Sequence, residues 1–244
     1  MGAMRKEKLS TDLIAFFALL VIVFTGEIET RSLQQICSSS CGDIRIISYP
    51  FRLKGDPAGC GDSDYELSCE NNRTIMEFNS AKYYVKRILY EMREIRIVDV
   101  NFANGTCNLP YKSLTGDDLH NDIRYRGFTI HQTFASFMNC STIISDPAYP
   151  RLPCLGGNTS SVYVLYDRIG DSNLPLGCYF ISMIPIDYNS SLPKNPSYEA
   201  VLNLLESGFN LGWSVECRDC LLSNSSCLSS GLDRPYKYDC YEPG

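Results

Sequence analysis

The chain has 244 residues, a formal net charge of −6, twelve cysteines and only two histidines. That balance argues against a nucleic-acid partner and leaves little material for histidine-based catalysis or metal binding.

The chain starts with a leader. Arg5, Lys6 and Lys8 precede the unbroken apolar run Leu13–Phe24, and Thr25-Gly26 follow it. This is the pattern of a signal peptide, expected over residues 1–28, and the run is short for a membrane span. Membrane association is expected only if this segment stays uncleaved or the chain is part of a longer receptor. The rest is long enough for one large or two small domains.

All twelve cysteines follow the leader: Cys37, Cys41, Cys60, Cys69, Cys107, Cys140, Cys154, Cys178, Cys217, Cys220, Cys227 and Cys240. An even count behind an export signal reads as a disulfide framework whose pairing the sequence leaves open. Asn-x-Ser/Thr sequons at Asn72, Asn104, Asn139, Asn158, Asn189 and Asn224 agree with export and place these sites on surface loops under glycan. Asn139 is the questionable one, because its neighbour Cys140 belongs to the disulfide set.

Period-two alternation marks strands at Ile44–Ile46, Tyr65–Cys69, Thr74–Phe78 and Glu94–Val100, and later at Ser161–Tyr166 and Cys178–Ile184. Asp56–Gly59 and Ala103–Gly105 are turn material. In Tyr49-Pro50-Phe51, Pro50 biases Tyr49 toward an extended conformation, and both aromatic residues are expected to pack into the core. The polar, aperiodic Thr115–Asn121 reads as a hinge. One helix is expected, capped by Ser197, carrying Tyr198, Val201, Leu202 and Leu205 on one stripe and closed by Gly208. The fold class is therefore mainly β and disulfide-rich: two small cysteine-rich modules of short antiparallel strands, with one short helix in the second. The expected domains are 37–110 and 128–244, joined by a linker at 111–127.

Ile44–Arg126 carries 12 basic and 12 acidic residues, whereas Gly127–Gly244 carries 6 and 11. The basic groups concentrate in Lys82–Arg96, "KYYVKRILYEMREIR", with a net charge of +3. Tyr83, Tyr84 and Tyr90 alternate there with Lys82, Lys86, Arg87, Arg93 and Arg96. Arginine forks suit carboxylates, and tyrosine faces suit pyranose rings. These eight residues are the candidate ligand-binding set. In a hairpin, Lys82, Tyr84 and Lys86 would share a face. The competing reading is an ordinary charged sheet edge.

No catalytic constellation stands out. There is no Gly-x-Ser-x-Gly elbow and no phosphate-cradling loop. Cys217-x-x-Cys220 lacks both a thioredoxin-like setting and a second close cysteine pair, since the next cysteines, Cys227 and Cys240, stand far apart. Structural disulfides are the reading. No enzyme activity, metal or cofactor is expected.

The ordered set Cys37-x-x-x-Cys41-Gly42, Ile46–Phe51, Cys60-Gly61 and Tyr65–Cys69 resembles the galacturonan-binding domain of plant wall-associated receptor kinases and their leaf-rust-resistance relatives. Phe128–Cys140, Cys178–Ile186 and Gly208–Cys220 are similar to the rest of such ectodomains, including their C-terminal module, so that the resemblance runs from Cys37 to Cys240. One departure is Leu228 after Cys227, where the family often has Gly. The resemblance implies a secreted or surface-attached binder of pectin, specifically de-esterified homogalacturonan or its oligomers, with receptor-like kinases as further partners. It carries no kinase activity to this chain. The alternative is a protein-interaction ectodomain, a decoy or co-receptor whose contact is the acidic C-terminal half and its apolar helix.

Overall fold

The structure is a computed structural model and describes residues 37–126, 133–157, 159–167, 174–187, 196–229 and 237–241. The segment expected to be a leader, Asn158, Asn189 and the start of Phe128–Cys140 lie outside the described residues.

The first half forms β1 (Ser39–Cys41), β2 (Ile44–Ile47), β3 (Arg52–Leu53), β4 (Glu66–Glu70), β5 (Arg73–Phe78), β6 (Ala81–Leu89) and β7 (Glu94–Asp99). Then come helix α1 (Gly116–Asn121), β8 (Tyr125–Arg126), β9 (Thr133–Cys140), β10 (Arg151–Leu152), β11 (Ser161–Asp167) and β12 (Cys178–Ile186). The C-terminal stretch holds α2 (Tyr198–Ser207), β13 (Phe209–Trp213), α3 (Val215–Leu222), β14 (Ser226–Ser229) and β15 (Tyr238–Tyr241). The mainly antiparallel, disulfide-rich class expected from the sequence is what forms, and the alternating segments become strands within a residue or two of their expected limits.

The larger sheet runs β3-β4-β5-β6-β7-β13-β8, and the smaller runs β10-β11-β9-β12. The position of β13 was not expected. It leaves the C-terminal segment and inserts between β7 and β8, with Phe209 opposite Ile97 and Trp213 opposite Tyr125. A Cβ on Gly208 would run into the Ile97 carbonyl, and its φ is +71°, so glycine is what lets β13 approach β7 so closely. The two cysteine-rich halves thus share a sheet. One continuous core spans both sheets, from Phe51 and Tyr65 through Phe137 and Ile184 to Leu205.

The segment read as a hinge is ordered. Thr115 Oγ1 accepts from Asp118 N, and Asp118 accepts the Thr115 backbone N–H in return, a full capping box on α1. A six-residue helix burying only Leu119 has no room to display a helical period. Helix α2 has the expected caps, with Ser197 accepting from Ala200 N and Gly208 N donating to Leu205 O. Its buried face is Val201, Leu204 and Leu205, so Val201 and Leu205 of the expected stripe are already packed in the core, while Tyr198 and Leu202 are half-buried and Leu204 completes the face instead. Helix α3 went unnoticed because Arg218 and Asp219 interrupt its apolar spacing.

Six disulfides use every cysteine. Cys37 pairs with Cys60, Cys41 with Cys69, and Cys107 with Cys154. Cys140 pairs with Cys178, Cys217 with Cys227, and Cys220 with Cys240. Cys217 and Cys220 each pair elsewhere, so the C-x-x-C is a structural pair of anchors. Both of its members are buried on α3, and their partners Cys227 and Cys240 stand directly opposite each other on the β14–β15 hairpin. Cys69, Cys154 and Cys240 occupy exposed positions although each is bonded. For Cys240 the reason is that β15 pairs only with β14, and this two-stranded ribbon is joined to α3 by the two bridges rather than covered by a layer of the core. The bridge between Cys107 and Cys154 ties the loop after β7 to the turn following β10.

Arg218 on α3 is the main polar link between the halves. It is 7% exposed, pairs with Asp62 and with Asp64 (3.0 Å), and lies 5.4 Å over the Tyr65 ring. Asp219 takes its remaining donors at 2.7 and 2.9 Å. Arg218→Ala leaves three acids, Asp62, Asp64 and Asp219, without their counter-charge. It should cost on the order of 3 kcal/mol, the lower end of the range for a broken buried pair, because Asp64 and Asp219 are about half in water. An unchanged unfolding midpoint in denaturant would rule this link out.

Asp99 ends β7 and is 1% exposed. Its carboxylate accepts the N–H groups of Asn101 and Tyr111, each at 2.9 Å, and so holds the loop that carries Cys107. Burial raises its pKa to about 6 despite those two bonds. A raised acid binds its proton more tightly when folded. Its stabilising contribution is therefore full below the unfolded value near 4 and is lost as pH rises through about 6. Glu216 and Asp118, whose values are lowered, act with the opposite sign and at more acid pH. The unfolding free energy should therefore fall between pH 4.5 and 6.5 by about 2 kcal/mol, read as a lower melting temperature. Asp99→Asn should melt lower throughout, because its NH2 faces an N–H, and should lose the slope. A slope that survives in Asp99→Asn would assign it to another group.

Candidate functional site

The candidate binding residues lie on the β6–β7 hairpin. Strand alternation puts Ala81, Tyr83 and Val85 inward and Lys82, Tyr84 and Lys86 outward. The pairing then slips: Val85 faces Ile97 but Arg87 faces Arg96. The bulge at Lys86 leaves Lys86 and Arg87 consecutive and both exposed. Same-face positions along the strand stand roughly 7 Å apart, so Lys82, Tyr84 and Lys86 form a row.

The eight residues divide into distinct groups. Tyr83 is fully buried, with ring centroids 6.4 Å from Phe78 and 5.9 Å from Phe209, so it cannot meet a sugar. Arg96 is a strut. It bonds Asp187 (2.7 Å) and the Ser207 carbonyl (2.8 Å), holding the end of α2 to the sheet. Both depart from the expected binding role because strand β13 and helix α2 cover what an isolated hairpin would expose. Lys82 pairs with Glu70 at 2.9 Å, which raises the lysine pKa and lowers that of the acid. Tyr84 is half-buried with the Arg73 guanidinium 4.8 Å over its ring. Among the described residues, Lys86 and Arg87 have no ion-pair partner.

Tyr90 and Arg93, at the hairpin end, open onto a cleft of about 480 Å³. Its other walls are Tyr49, Pro50, Trp213, Val215, Glu216 and Asp219. The three residues of Tyr49-Pro50-Phe51 separate in function here. Phe51 is wholly buried against Trp213 (4.8 Å), whereas Tyr49, expected in the core, is 61% exposed at the cleft rim. The peptide bond between Tyr49 and Pro50 is cis. The Tyr90 hydroxyl accepts the Ser48 N–H at 2.8 Å and so fixes this rim. Arg93 makes a two-pronged bond to Glu216 at 2.8 and 2.9 Å; against the opposing effect of burial, the residue's own backbone N–H, then this arginine and Ser214, keep the Glu216 carboxyl below its ordinary range. The cleft therefore offers aromatic edges and an arginine whose inner face is already neutralised. Trp213, Glu216 and Asp219 were missed because they lie more than 110 residues away along the chain and no local pattern announces them.

Asn72, Asn104 and Asn224 stand exposed on turns with positive φ, suited to carrying glycan. Asn139 differs: it lies in the central strand β9 with its Nδ2 donating to Tyr179 OH at 2.7 Å. Among the described residues, no group of three His, Cys, Asp or Glu side chains is placed to hold a metal.

Comparison with known proteins supplies the family context. Residues 37–99 match the family described as wall-associated receptor kinase galacturonan-binding. Over 93% of its length the chain is 24% identical to the leaf rust 10 disease-resistance locus receptor-like protein kinase-like 2.1 of Arabidopsis thaliana, covering 38% of that protein. It is 26% and 25% identical to the putative RING-H2 finger proteins ATL21B and ATL21C of the same plant, over 90% and 81% of the chain and 57% and 51% of theirs. The chain thus spans between about two fifths and just over half of the curated relatives it matches. No solved structure matches.

The Tyr83 hydroxyl is buried without a hydrogen-bond partner. Tyr83→Phe should leave ligand binding unchanged and stability equal or higher by up to about 1 kcal/mol. A loss of binding in a normally melting Tyr83→Phe protein would return Tyr83 to the site.

Proposed function

From a chain that carries, at residues 37–99, the galacturonan-binding domain of the wall-associated receptor kinases, and whose remaining length aligns with a receptor-like kinase of the leaf-rust-resistance class, we propose a non-catalytic extracellular binder of acidic pectin. The ligand is de-esterified homogalacturonan or its oligomers. Lys86 and Arg87 meet uronate carboxylates, with Lys82 and the Arg73–Tyr84 stack beside them. The polysaccharide runs along β6 toward Tyr90, Arg93 and the exposed ring of Tyr49. The observation that carries this reading is the bulge at Lys86: it sets two unpaired cations side by side, on the strand that the family match covers. Arg93 contributes through its outer edge, since Glu216 occupies the inner one. The chemistry is carboxylate recognition by charge-assisted hydrogen bonds with rings packing on aromatic edges. Disulfide bonding of all twelve cysteines agrees with an oxidising, extracellular compartment.

A second reading, contact with another protein such as a receptor-like kinase, is favoured by exposed Leu176, Tyr179 and Phe180 at one end of the smaller sheet. Retention of a wall or membrane partner after pectinase treatment, lost on Phe180→Ser, would support it.

Lys86→Ala/Arg87→Ala should weaken binding of de-esterified oligogalacturonides roughly tenfold or more, with the salt dependence of the affinity reduced in step. Fully methyl-esterified oligomers should bind weakly to both proteins. Titration calorimetry at low and moderate salt reads this out. Equal affinity of the double variant and the parent would remove these cations from the site.

A further inference from the structure

A second groove, of about 370 Å³, lies wholly outside residues 37–99. It is bounded by the loop from Ile143 to Pro150, by Arg151 on edge strand β10, by Tyr163 on β11, and by Pro196 and Tyr198 where α2 begins. Several bonds hold it in shape. The buried Tyr163 hydroxyl accepts the Ile144 N–H at 3.0 Å and pins the loop from beneath. Asp146 closes a turn by accepting the Ala148 N–H at 2.9 Å, and its carbonyl takes the Tyr149 N–H at 3.1 Å. The Pro150 carbonyl accepts Val164 N at 3.1 Å. Pro147, Pro150 and Pro196 restrict the backbone on two sides. A groove built this way needs little ordering when a ligand enters.

Its chemistry rests on an arginine that, like Arg87 on β6, no carboxylate holds among the described residues. Arg52, Arg93, Arg96, Arg124 and Arg218 are each held by a carboxylate. Arg151, directly across the β10–β11 ladder from Tyr163, is exposed and has no ion-pair or hydrogen-bond partner among the described residues. Half-buried Tyr149 and Tyr198 supply ring surface beside it, and the Tyr198 hydroxyl is turned to Cys154 Sγ at 3.3 Å. Asp146 keeps acceptor capacity for a ring hydroxyl. An unpaired guanidinium fork and two tyrosine rings in one preformed concavity fit a pyranose bearing a carboxylate.

We infer that this groove is a second uronide-binding site, so that the ectodomain grips one acidic polysaccharide at two separated points. The inference rests on the pectin-binding reading of residues 37–99. Two linked weak sites raise the affinity for a long chain far more than for a short one, because the second contact becomes intramolecular.

The test is calorimetric titration of the full chain at low salt, with galacturonate trimer and with oligomers long enough to bridge. The parent should take up two equivalents of trimer, Arg151→Gln one, and Lys86→Ala/Arg87→Ala the other one. For long oligomers, Arg151→Gln should lose roughly tenfold or more in affinity. Arg151 is exposed, so its substitution leaves the fold intact, with a matching melting curve as the control. Two equivalents of trimer on Arg151→Gln would overturn the inference, as would a single equivalent on the parent that only Lys86→Ala/Arg87→Ala removes. A single equivalent that only Arg151→Gln removes would support the groove and overturn the β6 site instead. No uronide bound by the parent overturns both.

Discussion

The insertion of β13 between β7 and β8 is the constraint on which the rest of the structure depends. It requires Gly208, whose missing side chain lets the chain turn out of α2 and lie against the Ile97 carbonyl. Once in place, Phe209 packs on Tyr83 and Trp213 packs on Phe51 and Tyr90. Trp213 is also the point from which α3 departs, and α3 delivers Arg218 to Asp62 and Asp64 and Glu216 to Arg93. Without this strand, the N-terminal sheet would present the hydrogen-bonding edge of β7 to solvent, a template for aggregation. The cleft beside Tyr49 exists for the same reason: Trp213, Val215, Glu216 and Asp219 of its lining belong to the C-terminal segment.

The distribution of charge follows from that architecture. Five arginines, Arg52, Arg93, Arg96, Arg124 and Arg218, hold parts of the chain together, and each is paired with a carboxylate where it stands. Arg218 is buried and hydrogen-bonded on several sides, while Arg96 staples α2 and its following turn to the sheet. Such pairs add specificity of arrangement more than net stability, since desolvation offsets much of their attraction. What remains for recognition includes cations that the fold leaves without partners: Lys86 and Arg87 on the bulge of β6, and Arg151 on β10. Lys86 and Arg87 stand on the larger sheet and Arg151 on the smaller, so the cations the fold does not otherwise employ sit on both sheets.

The disulfides act at a different level. The core includes a series of edge-to-face aromatic contacts, and six cross-links restrict the unfolded chain. Most join residues within about 40 positions and stabilise local loops. The bridges from Cys217 to Cys227 and from Cys220 to Cys240 hold the terminal ribbon β14–β15 to α3 where the apolar core gives it little support. The bond between Cys107 and Cys154 instead joins the two sheets' connecting segments and supplements the stacked pair Phe102–Phe137.

Local chemistry determined much of this protein from its sequence alone. Strands with period-two alternation, the capped helix at 198–207, the full use of cysteines in disulfides and the ordered Cys-Gly and Tyr-Pro-Phe signature all depend on neighbours within a few residues, so they can be read directly. The face each strand residue occupies was legible only up to a sign. Alternation says that Tyr83 and Tyr84 point apart, but only the packing of β13 and its aromatic residues makes Tyr83 the buried one. Similarly, Tyr49 and Phe51 share a parity in an extended chain, yet only Phe51 reaches the core. Arg93 and Arg96 read as free cations because their acids are 123 and 91 residues away. Tertiary structure decided the disulfide pairing, the joining of the two halves through one strand, and which positive charges are left over for a ligand. Each of those depends on contacts between segments far apart in sequence, where no local spacing carries the information.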